Sequence, residues 1–261
     1  MHSGGLRTKG ITKSSRPGEP LISVVTVVYN GATTLEQTIL SVLGQTYGNV
    51  EYVIVDGGST DGTLDIIRKY EDRIDWWQSE PDKGIYDAMN KGIALAAGEY
   101  IALLNADDWY EPGTCTLVVG EINKSQADVY YGVLRCVDKA GRTLKVEGNT
   151  TMLLSRGMIA HPTCFISRDV YERNRYDTSF RSAADFDLIC SLVRQGARFV
   201  FIPEIMANFR IGGMSSNPRN FFETTKIRRK YGHVSLFEYF LMRLYYFVSV
   251  CFPFLFRRGL L

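Results

Sequence analysis

The chain has few cysteines, and none of them is spaced as a metal site or a disulfide framework. Five occur in 261 residues, scattered in or beside apolar segments, and no C-x-x-C pair is present. Buried free thiols are therefore expected rather than zinc ligands or disulfides, and a reducing cytosol is consistent with them.

Long apolar stretches are also missing near the N-terminus. Residues 1–20 are polar, with Ser, Gly, Lys and Arg but without the apolar core of a secretory signal. We expect this stretch to be a disordered tail. Internal repeats and low-complexity tracts are absent as well, and the remaining length suits one large domain or two small ones.

Glycine-rich phosphate motifs are missing after the first predicted strand. No G-x-G-x-x-G follows Leu21–Val28, which argues against a Rossmann dehydrogenase. No Gly-rich loop bearing Arg or Lys stands there either, which argues against a nucleotidylyltransferase. The most informative residues of the chain are acidic instead.

Apolar strands alternate with amphipathic helices in the first half of the chain. Leu21–Val28 is an apolar, β-branched run, typical of a strand that is covered on both faces. Similar reasoning predicts strands at Val50–Val55 and Tyr100–Leu104, and helices beginning near Leu35, at Thr63–Tyr70, Gly84–Ala97 and Pro112–Asn123. This order predicts a mainly parallel, Rossmann-like α/β sheet up to about residue 125.

The second half has shorter β-like pieces around one clear helix, Asp185–Arg194. The pieces are Val129–Val133, Thr143–Val146, Thr163–Ile166 and Arg198–Ile202. We expect a mixed extension of the sheet that completes a cleft, with no linker between the two halves.

Charge divides the chain near residue 218. Residues 219–261 carry eight Lys or Arg and two Glu, whereas residues 21–218 carry 18 basic and 25 acidic side chains. The predicted organisation is therefore a tail (1–20), a catalytic-type domain (21–218) and a basic, aromatic C-terminal helical segment (219–261).

The C-terminal segment is rich in aromatic residues over Leu236–Phe256. Its longest uncharged run, Leu244–Phe256, has 13 residues, fewer than the roughly 20 that span a bilayer. Basic residues on both sides favour a helix that lies on an anionic membrane surface. A helix docked on the core or on a second subunit is the alternative.

Two acidic groups follow predicted strands. Asp56 ends Val53-Ile54-Val55 and precedes a Gly-Gly-Ser-Thr-Asp-Gly turn, and Asp107-Asp108 follow the strand that ends at Leu104. Ligands of open α/β sheets bind at this edge, where carboxylates can hold a hard cation that serves phosphate groups. The alternatives are an ordinary strand-to-helix turn and an acidic loop. The pattern favours a nucleotide-handling enzyme.

Two further groups of polar residues lie on predicted helices. Lys83, Asp87 and Asn90 share one face at i, i+4 and i+7 and could grip a nucleotide, or the face could be a solvated one with an Asp87–Lys91 pair. Asp185 begins a helix, where it could be a general base or an N-terminal cap.

Taken together, these residues resemble an inverting family 2 glycosyltransferase of the GT-A fold, over roughly residues 21–217. The motifs that carry the resemblance are V-V-T-V-V-Y-N from Val24, V-D-G-G-S-T-D-G-T, P-D-K-G-I-Y-D-A-M-N-K-G, L-N-A-D-D and A-A-D-F-D-L. The middle stretch is similar to enzymes that build bacterial exopolysaccharide, capsule and lipopolysaccharide.

The resemblance implies roles for particular residues. Asp56 would contact uracil or ribose, with Thr26 and Tyr29 lining the base pocket. The D-x-D element maps to Asn105–Asp108, with Asn105 in place of its first acid. Asp108 would then be the direct ligand of Mn²⁺ or Mg²⁺, with Asp107 near the ribose or the metal.

The catalytic base of the family maps to Asp185, with Ala184 where a Glu is usual. His161 would touch the acceptor or a phosphate, and the alternative is a structural histidine. Arg210 would contact a phosphate, and the alternative is a position in a linker to the C-terminal segment. Direct displacement with inversion is the implied reaction.

The implied partners are a nucleotide-sugar donor, most simply a UDP-sugar, and a glycan or lipid-linked acceptor. Nucleic acid is not expected, and a homo-oligomer is left open. The expected location is the cytoplasm, peripheral at the inner face of the bacterial plasma membrane. The competing hypothesis is a non-catalytic module that binds sugar nucleotides or supports assembly.

Overall fold

The computed structural model describes residues 2–148, 158–212 and 218–251. Its helices are α1 (Leu35–Leu43), α2 (Thr63–Lys69), α3 (Ile85–Leu95), α4 (Thr114–Ile122), α5 (Arg168–Arg173), α6 (Ala184–Arg194), α7 (Pro218–Lys230) and α8 (Leu236–Cys251). Short 3-10 helices cover Leu6–Lys9 and His161–Thr163. The end of the predicted aromatic segment, after Cys251, lies outside the described residues.

The strands are β1 (His2–Gly4), β2 (Ile22–Val28), β3 (Val50–Asp56), β4 (Trp76–Ser79), β5 (Tyr100–Asn105), β6 (Trp109–Tyr110), β7 (Val129–Val137), β8 (Thr143–Glu147), β9 (Phe165–Ser167) and β10 (Phe199–Arg210). Within the described residues they form one sheet in the order β1-β4-β3-β2-β5-β9-β7-β10-β6, with β8 beside β7. The sequence-predicted α/β class, with a parallel first half and a mixed extension, is confirmed.

The parallel part of the sheet consists of β4, β3, β2 and β5. Every residue of β2 and β3 is buried, and both strands are mainly apolar, as expected for strands covered on both faces. In register, Val28 pairs with Asp56 and Val27 with Asn105, so the polar ends of β3 and β5 meet at one edge.

Helices cover both faces of this parallel sheet. Leu35 and Ile39 of α1 pack on one face, and Met89 and Ile93 of α3 pack on the other. The helix α3 approaches β2 so closely that a Cβ on Gly92 would overlap Val25. A glycine at this position therefore sets the distance between α3 and the sheet.

The prediction of a disordered tail at residues 1–20 is wrong. The strand β1 pairs antiparallel with β4, with His2 opposite Ser79. Arg7 forms an ion pair with the buried Glu51, and Lys13 Nζ lies 2.8 Å from the buried carboxylate of Asp75. Buried carboxylates require partners, and this segment supplies the cations. Composition alone could not reveal partners so distant in the chain.

The predicted boundary at residue 218 does not separate α7 from the domain. Thr225 and Ile227 of α7 are fully buried, and Lys230 Nζ pairs with Asp187 of α6 at 2.7 Å. The helix α8, in contrast, exposes a row of large apolar side chains: Leu236, Phe237, Phe240, Leu241, Leu244 and Tyr245. In the part of the chain that the structure describes, no helix is both long and apolar enough to cross a bilayer.

Candidate active site

A cleft of about 560 Å³ opens at the edge where β2 and β5 end. The turn after β2, the first turns of α3 and residues 105–107 line it, and His161, Ser182 and Asp185 complete its walls. Its volume suits a small-molecule ligand. The sequence-predicted cleft between the parallel half and the mixed extension is therefore present.

Tyr29 stands at the rim of this cleft, with 66% of its surface exposed. Asn30 beside it adopts a left-handed backbone (φ 50°), and its side-chain carbonyl accepts a hydrogen bond from Thr60 N at 2.9 Å. The turn after β2 is thereby tied to the turn after β3, which holds an aromatic ring open to solvent.

Thr26, in contrast, does not line the cleft. It is fully buried, and its hydroxyl accepts a hydrogen bond from the Tyr52 hydroxyl at 3.1 Å. Successive residues of a strand point to opposite faces, and Val25 and Val27 occupy the α3 side. The predicted role of Thr26 in a base pocket is therefore incorrect.

Asp56 is buried behind the same edge. Its carboxylate accepts hydrogen bonds from Ser79 Oγ at 2.6 Å, from Gly58 N at 3.2 Å and from both the amide and the hydroxyl of Ser59. These bonds fold the glycine-rich turn into place. A Cβ on Gly57 would overlap Asp82, which lines the cleft. The predicted nucleoside contact of Asp56 stays a prediction.

The two adjacent acids after β5 have different surroundings. Asp107 lines the cleft, whereas Asp108 is fully buried and its Oδ1 accepts the backbone N–H of Arg210 at 3.1 Å. Burial, reinforced by the charge of Asp107, raises the pKa of Asp108 well above its usual value. The prediction of Asp108 as the direct metal ligand does not fit this position, because Asp107 is the acid that faces the cleft.

Asn105 is the second oxygen donor at this point of the cleft. Its Oδ1 is buried and has no hydrogen-bond partner among the described residues, and burial also raises the pKa of Asp107. A carboxylate and an unpaired amide oxygen together suit Mg²⁺ or Mn²⁺, which bind few protein oxygens and complete their shells with phosphate and water. No cluster of three or more acidic, His or Cys ligands occurs in the described ranges.

Asp185 also lines the cleft, from the first turn of α6. Ala183 is the N-cap residue and makes no side-chain cap, so Asp185 is not the cap. Its Oδ1 accepts a hydrogen bond from the Tyr86 hydroxyl at 3.0 Å. Burial and the charge of Asp185 raise the pKa of Tyr86, which therefore remains a donor. The carboxylate is thus held at the cleft.

His161 also lines the cleft. Its Nε2 lies 2.9 Å from the Tyr176 hydroxyl, and that hydroxyl lies 3.1 Å from the hydroxyl of Tyr171. Burial lowers the pKa of His161, which favours a neutral imidazole. The hydrogen bond to Tyr176 gives His161 the fixed position of a structural histidine. The residue also lines the cleft, so a contact with a bound ligand is possible.

The predicted polar face of α3 does not form. The helix begins at Ile85, so Lys83 precedes it, and Asp87 accepts the Lys83 backbone N–H at 3.1 Å. Asn90 exchanges hydrogen bonds with the backbone of Tyr176. None of these three side chains lines the cleft, because α3 presents a different side to it.

Sequence reasoning missed five polar residues that line the cleft: Asn30, Thr34, Asp82, Tyr86 and Ser182. Asp82 and Tyr86 belong to the P-D-K-G-I-Y-D-A-M-N-K-G motif, but the spacing of Lys83, Asp87 and Asn90 predicts a different face of α3. The signal that could have identified them is position alone, since Asp82 and Tyr86 flank the glycine before α3 and Ser182 precedes α6.

Arg210 lies behind the acidic turn instead of in the cleft. Its guanidinium stacks on Trp109 at 5.1 Å from the ring centre, and its Nη2 donates to Gln37 at 2.8 Å. Its charge partly offsets the rise in the pKa values of Asp107 and Asp108. The sequence predicts a direct contact between Arg210 and a phosphate, but Arg210 does not line the cleft. It orders the acidic turn instead.

Solved structures resemble this fold. Staphylococcus aureus TarS 1-349 in complex with UDP has a TM-score of 0.64 and 18% identity, over 81% of this chain and 65% of that one. The mannosyltransferase PcManGT from Pyrobaculum calidifontis, in complex with GDP-Man and Mn²⁺, has a TM-score of 0.64 and 19% identity, over 85% and 66%. The fold is therefore the GT-A fold.

Curated relatives point the same way. An uncharacterized glycosyltransferase of Mycobacterium tuberculosis is 42% identical over 179 residues, covering 65% of this chain and 68% of that protein. One from Rickettsia felis is 31% identical over 203 residues, and the chain spans only 34% of its length. The model of the glycosyl transferase family 2 matches residues 23–197, most of the chain. The chain belongs to glycosyl transferase family 2.

Proposed function

We propose that the protein transfers a sugar from a nucleotide diphosphate, most simply UDP, to an acceptor hydroxyl with inversion at the anomeric carbon. The observation that carries this proposal is that Asp107 and Asp185 line the same cleft, with the exposed Tyr29 beside them. One acid would serve the diphosphate and the other the acceptor. Solved relatives hold UDP, UDP-GlcNAc or GDP-Man, which supports a nucleotide-sugar donor.

The donor would lie along the carboxyl edge of β2 and β5. The exposed ring of Tyr29 can stack on a base, because an aromatic face accepts any planar base. The turn held by Asp56 and Ser59 presents backbone groups beside it. We keep Asp56 as a nucleoside-contacting residue in this proposal, acting at least through the turn that it folds.

Asp107 and Asn105 would hold Mn²⁺ or Mg²⁺ together with the diphosphate oxygens. When bound, such an ion neutralises the diphosphate and stabilises the departing nucleotide. The fit rests on the cleft-facing carboxylate of Asp107 and the unpaired Oδ1 of Asn105. The Mn²⁺ in the PcManGT complex is in line with this proposal.

Asp185 would act as the general base. Its carboxylate takes the proton of the acceptor hydroxyl, whose oxygen attacks the anomeric carbon from the face opposite the diphosphate. The bond between that carbon and the diphosphate oxygen breaks, and the nucleoside diphosphate leaves with the electron pair. Tyr86 orients the carboxylate, and the neutral His161 borders the acceptor space.

Nucleotide release tests this function. Purified full chain is incubated with UDP- and GDP-sugars, acceptor hydroxyl compounds and either Mn²⁺ or EDTA. We expect metal-dependent release in the wild type, and loss of at least 100-fold for Asp185→Asn, within the range for a general base. Donor binding without release in the wild type would favour the non-catalytic binding module instead.

A second proposal concerns location: the chain binds the inner face of the bacterial plasma membrane, where a lipid-linked acceptor would be found. The exposed apolar row of α8 recurs at one- and three-residue intervals, which places it on one side of the helix. The other side faces α7, where Tyr246 stacks on Phe221 at 4.5 Å. Basic residues end α7 and recur at positions 257 and 258 of the sequence, which suits anionic lipid.

Co-sedimentation of the full chain with anionic and with neutral vesicles tests this proposal. We expect binding to the anionic vesicles and its loss in a Phe237→Ser, Phe240→Ser double variant. Leu117→Ser, an exposed residue of α4, is the matched control. If neither vesicle binds and the double variant instead splits a dimer in light scattering, the row covers a second copy and the membrane proposal fails.

A further inference from the structure

The helix α7 lies beyond the segment that matches the family, residues 23–197, yet it contacts the loop that leads to Asp185. Glu223 of α7 makes this contact. Its Oε1 accepts the backbone N–H of Arg181 at 2.9 Å, and its Oε2 accepts the backbone N–H and the hydroxyl of Ser182 at 2.8 and 3.1 Å. One carboxylate therefore takes three hydrogen bonds from two consecutive residues.

These bonds hold the chain immediately before α6, a helix that has no side-chain cap of its own. The N-cap residue, Ala183, has no side chain that could bond the first amides of the helix. A carboxylate just ahead of α6 is also favourably placed against the positive end of the helix dipole. Glu223 thus fixes the path of the chain three and four residues before Asp185.

The same loop reaches the other wall of the cleft. Arg181 Nη1 donates to the Lys83 carbonyl oxygen at 2.7 Å, at the turn before α3. The next residue, Gly84, has φ +120°, a backbone that favours glycine, and lines the cleft beside Asp82. Glu223, through Arg181, therefore holds the approach to Asp185 against the turn that leads to Tyr86.

Contacts other than those of Glu223 also hold α7 in position. Thr225 and Ile227 are fully buried, Lys230 pairs with Asp187 at 2.7 and 2.9 Å, and the Arg228 guanidinium lies 5.8 Å from the Phe186 ring centre. Removing the Glu223 charge would therefore release the loop while the helix stays docked.

We infer that Glu223 is a positioning residue for sugar transfer, which acts through Arg181 and Ser182 on the carboxylate of Asp185. The inference rests on the proposed function of Asp185 as the base. Glu223 is not a cleft-lining residue and contacts neither reacting group. Its effect is on the placement of the base relative to the acceptor, since its hydrogen bonds go to Arg181 and Ser182 and not to Asn105 or Asp107, which would hold the diphosphate.

The test compares Glu223→Gln and Glu223→Ala with the wild type and with Glu172→Gln, an exposed glutamate on α5. Melting temperature, calorimetric affinity for the nucleotide diphosphate, and kcat and KM for donor and acceptor are measured. The glutamine keeps the size of the side chain but turns one acceptor into a donor that faces N–H groups. We expect kcat to fall at least fivefold, with nucleotide affinity within twofold and a melting temperature that stays well above the assay temperature.

A kcat of Glu223→Gln equal to that of the wild type would overturn the inference, as would a loss of activity that only follows the folded fraction. Asp185→Asn is assayed in parallel to separate the two proposals. An inactive wild type, or an active Asp185→Asn variant, would contradict both the proposed function and this inference. If the wild type is active, Asp185→Asn is inactive and Glu223→Gln has normal activity, only this inference is contradicted.

Discussion

Tyr86 donates a hydrogen bond to Asp185 across 3.0 Å and thereby joins the first turn of α3 to the first turn of α6. The ring of Tyr86 also stacks on Tyr176, with centres 5.6 Å apart, which fixes the direction of the hydroxyl. The two walls of the cleft meet at this bond, so its removal should loosen the carboxylate without opening the fold.

Tyr86→Phe should lower kcat roughly 10-fold with little change in donor KM, because a hydrogen bond to a charged group contributes roughly 1.5–3 kcal/mol. Steady-state kinetics measures the effect. Tyr47→Phe is the control, since Tyr47 makes a similar bond to the Pro20 carbonyl far from the cleft. Equal kinetics in Tyr86→Phe and the wild type would show that the bond does not serve the reaction.

Asp107→Asn should raise the Mn²⁺ concentration needed for half-maximal activity and lower the activity at saturation at least tenfold. The reason is that an amide replaces the only cleft-facing carboxylate of the 105–108 turn. A metal titration of nucleotide release measures both values. Asp65→Asn, an exposed acid on α2, should leave the titration unchanged. An unaltered metal dependence in Asp107→Asn would contradict the assignment.

His161 should make stability depend on pH. Burial lowers its pKa in the folded protein, so below the ordinary value near 6.5 the unfolded chain binds the proton more readily. Stability should therefore fall as pH decreases from 7 through that value. Melting temperatures are measured at pH 7, 6 and 5. The melting temperature of His161→Gln should depend less steeply on pH than that of the wild type. His2→Gln, an exposed control, should follow the wild type. Parallel slopes in all three proteins would refute this origin.

Gly92→Ala should destabilise the fold by about 1–3 kcal/mol, the usual range for overpacking a close contact. The new Cβ would overlap Val25 and touch Val55 at 3.4 Å, which pushes α3 from the sheet. Urea denaturation measures the change. Gly120→Ala on α4 is a matched control, because nothing lies within 4 Å of its Cβ and alanine favours helix by up to about 1 kcal/mol. A neutral Gly92→Ala would mean that the helix can shift freely.

Local patterns were enough for the framework. The apolar runs of β2 and β3 predict buried parallel strands because a strand covered on both faces has no polar side, and Asp56 and Asn105 consequently meet at one edge. Asp185 on the first turn of its helix followed from the same kind of reasoning. Boundaries were less secure: β10 extends to Arg210, where the sequence predicted a strand ending at Ile202.

The choices that only the tertiary structure made all involve contacts between distant parts of the chain. Which of Asp107 and Asp108 faces the cleft depends on a backbone N–H of Arg210, and the order of residues 2–20 depends on the buried Glu51 and Asp75. The spacing of apolar residues is a property of a short segment and can be recognised in the sequence. The partner of a buried charge is decided only when distant segments pack together. The sequence by itself therefore determined the sheet and its acidic edge, and the fold decided which carboxylates line the cleft and which are buried behind it.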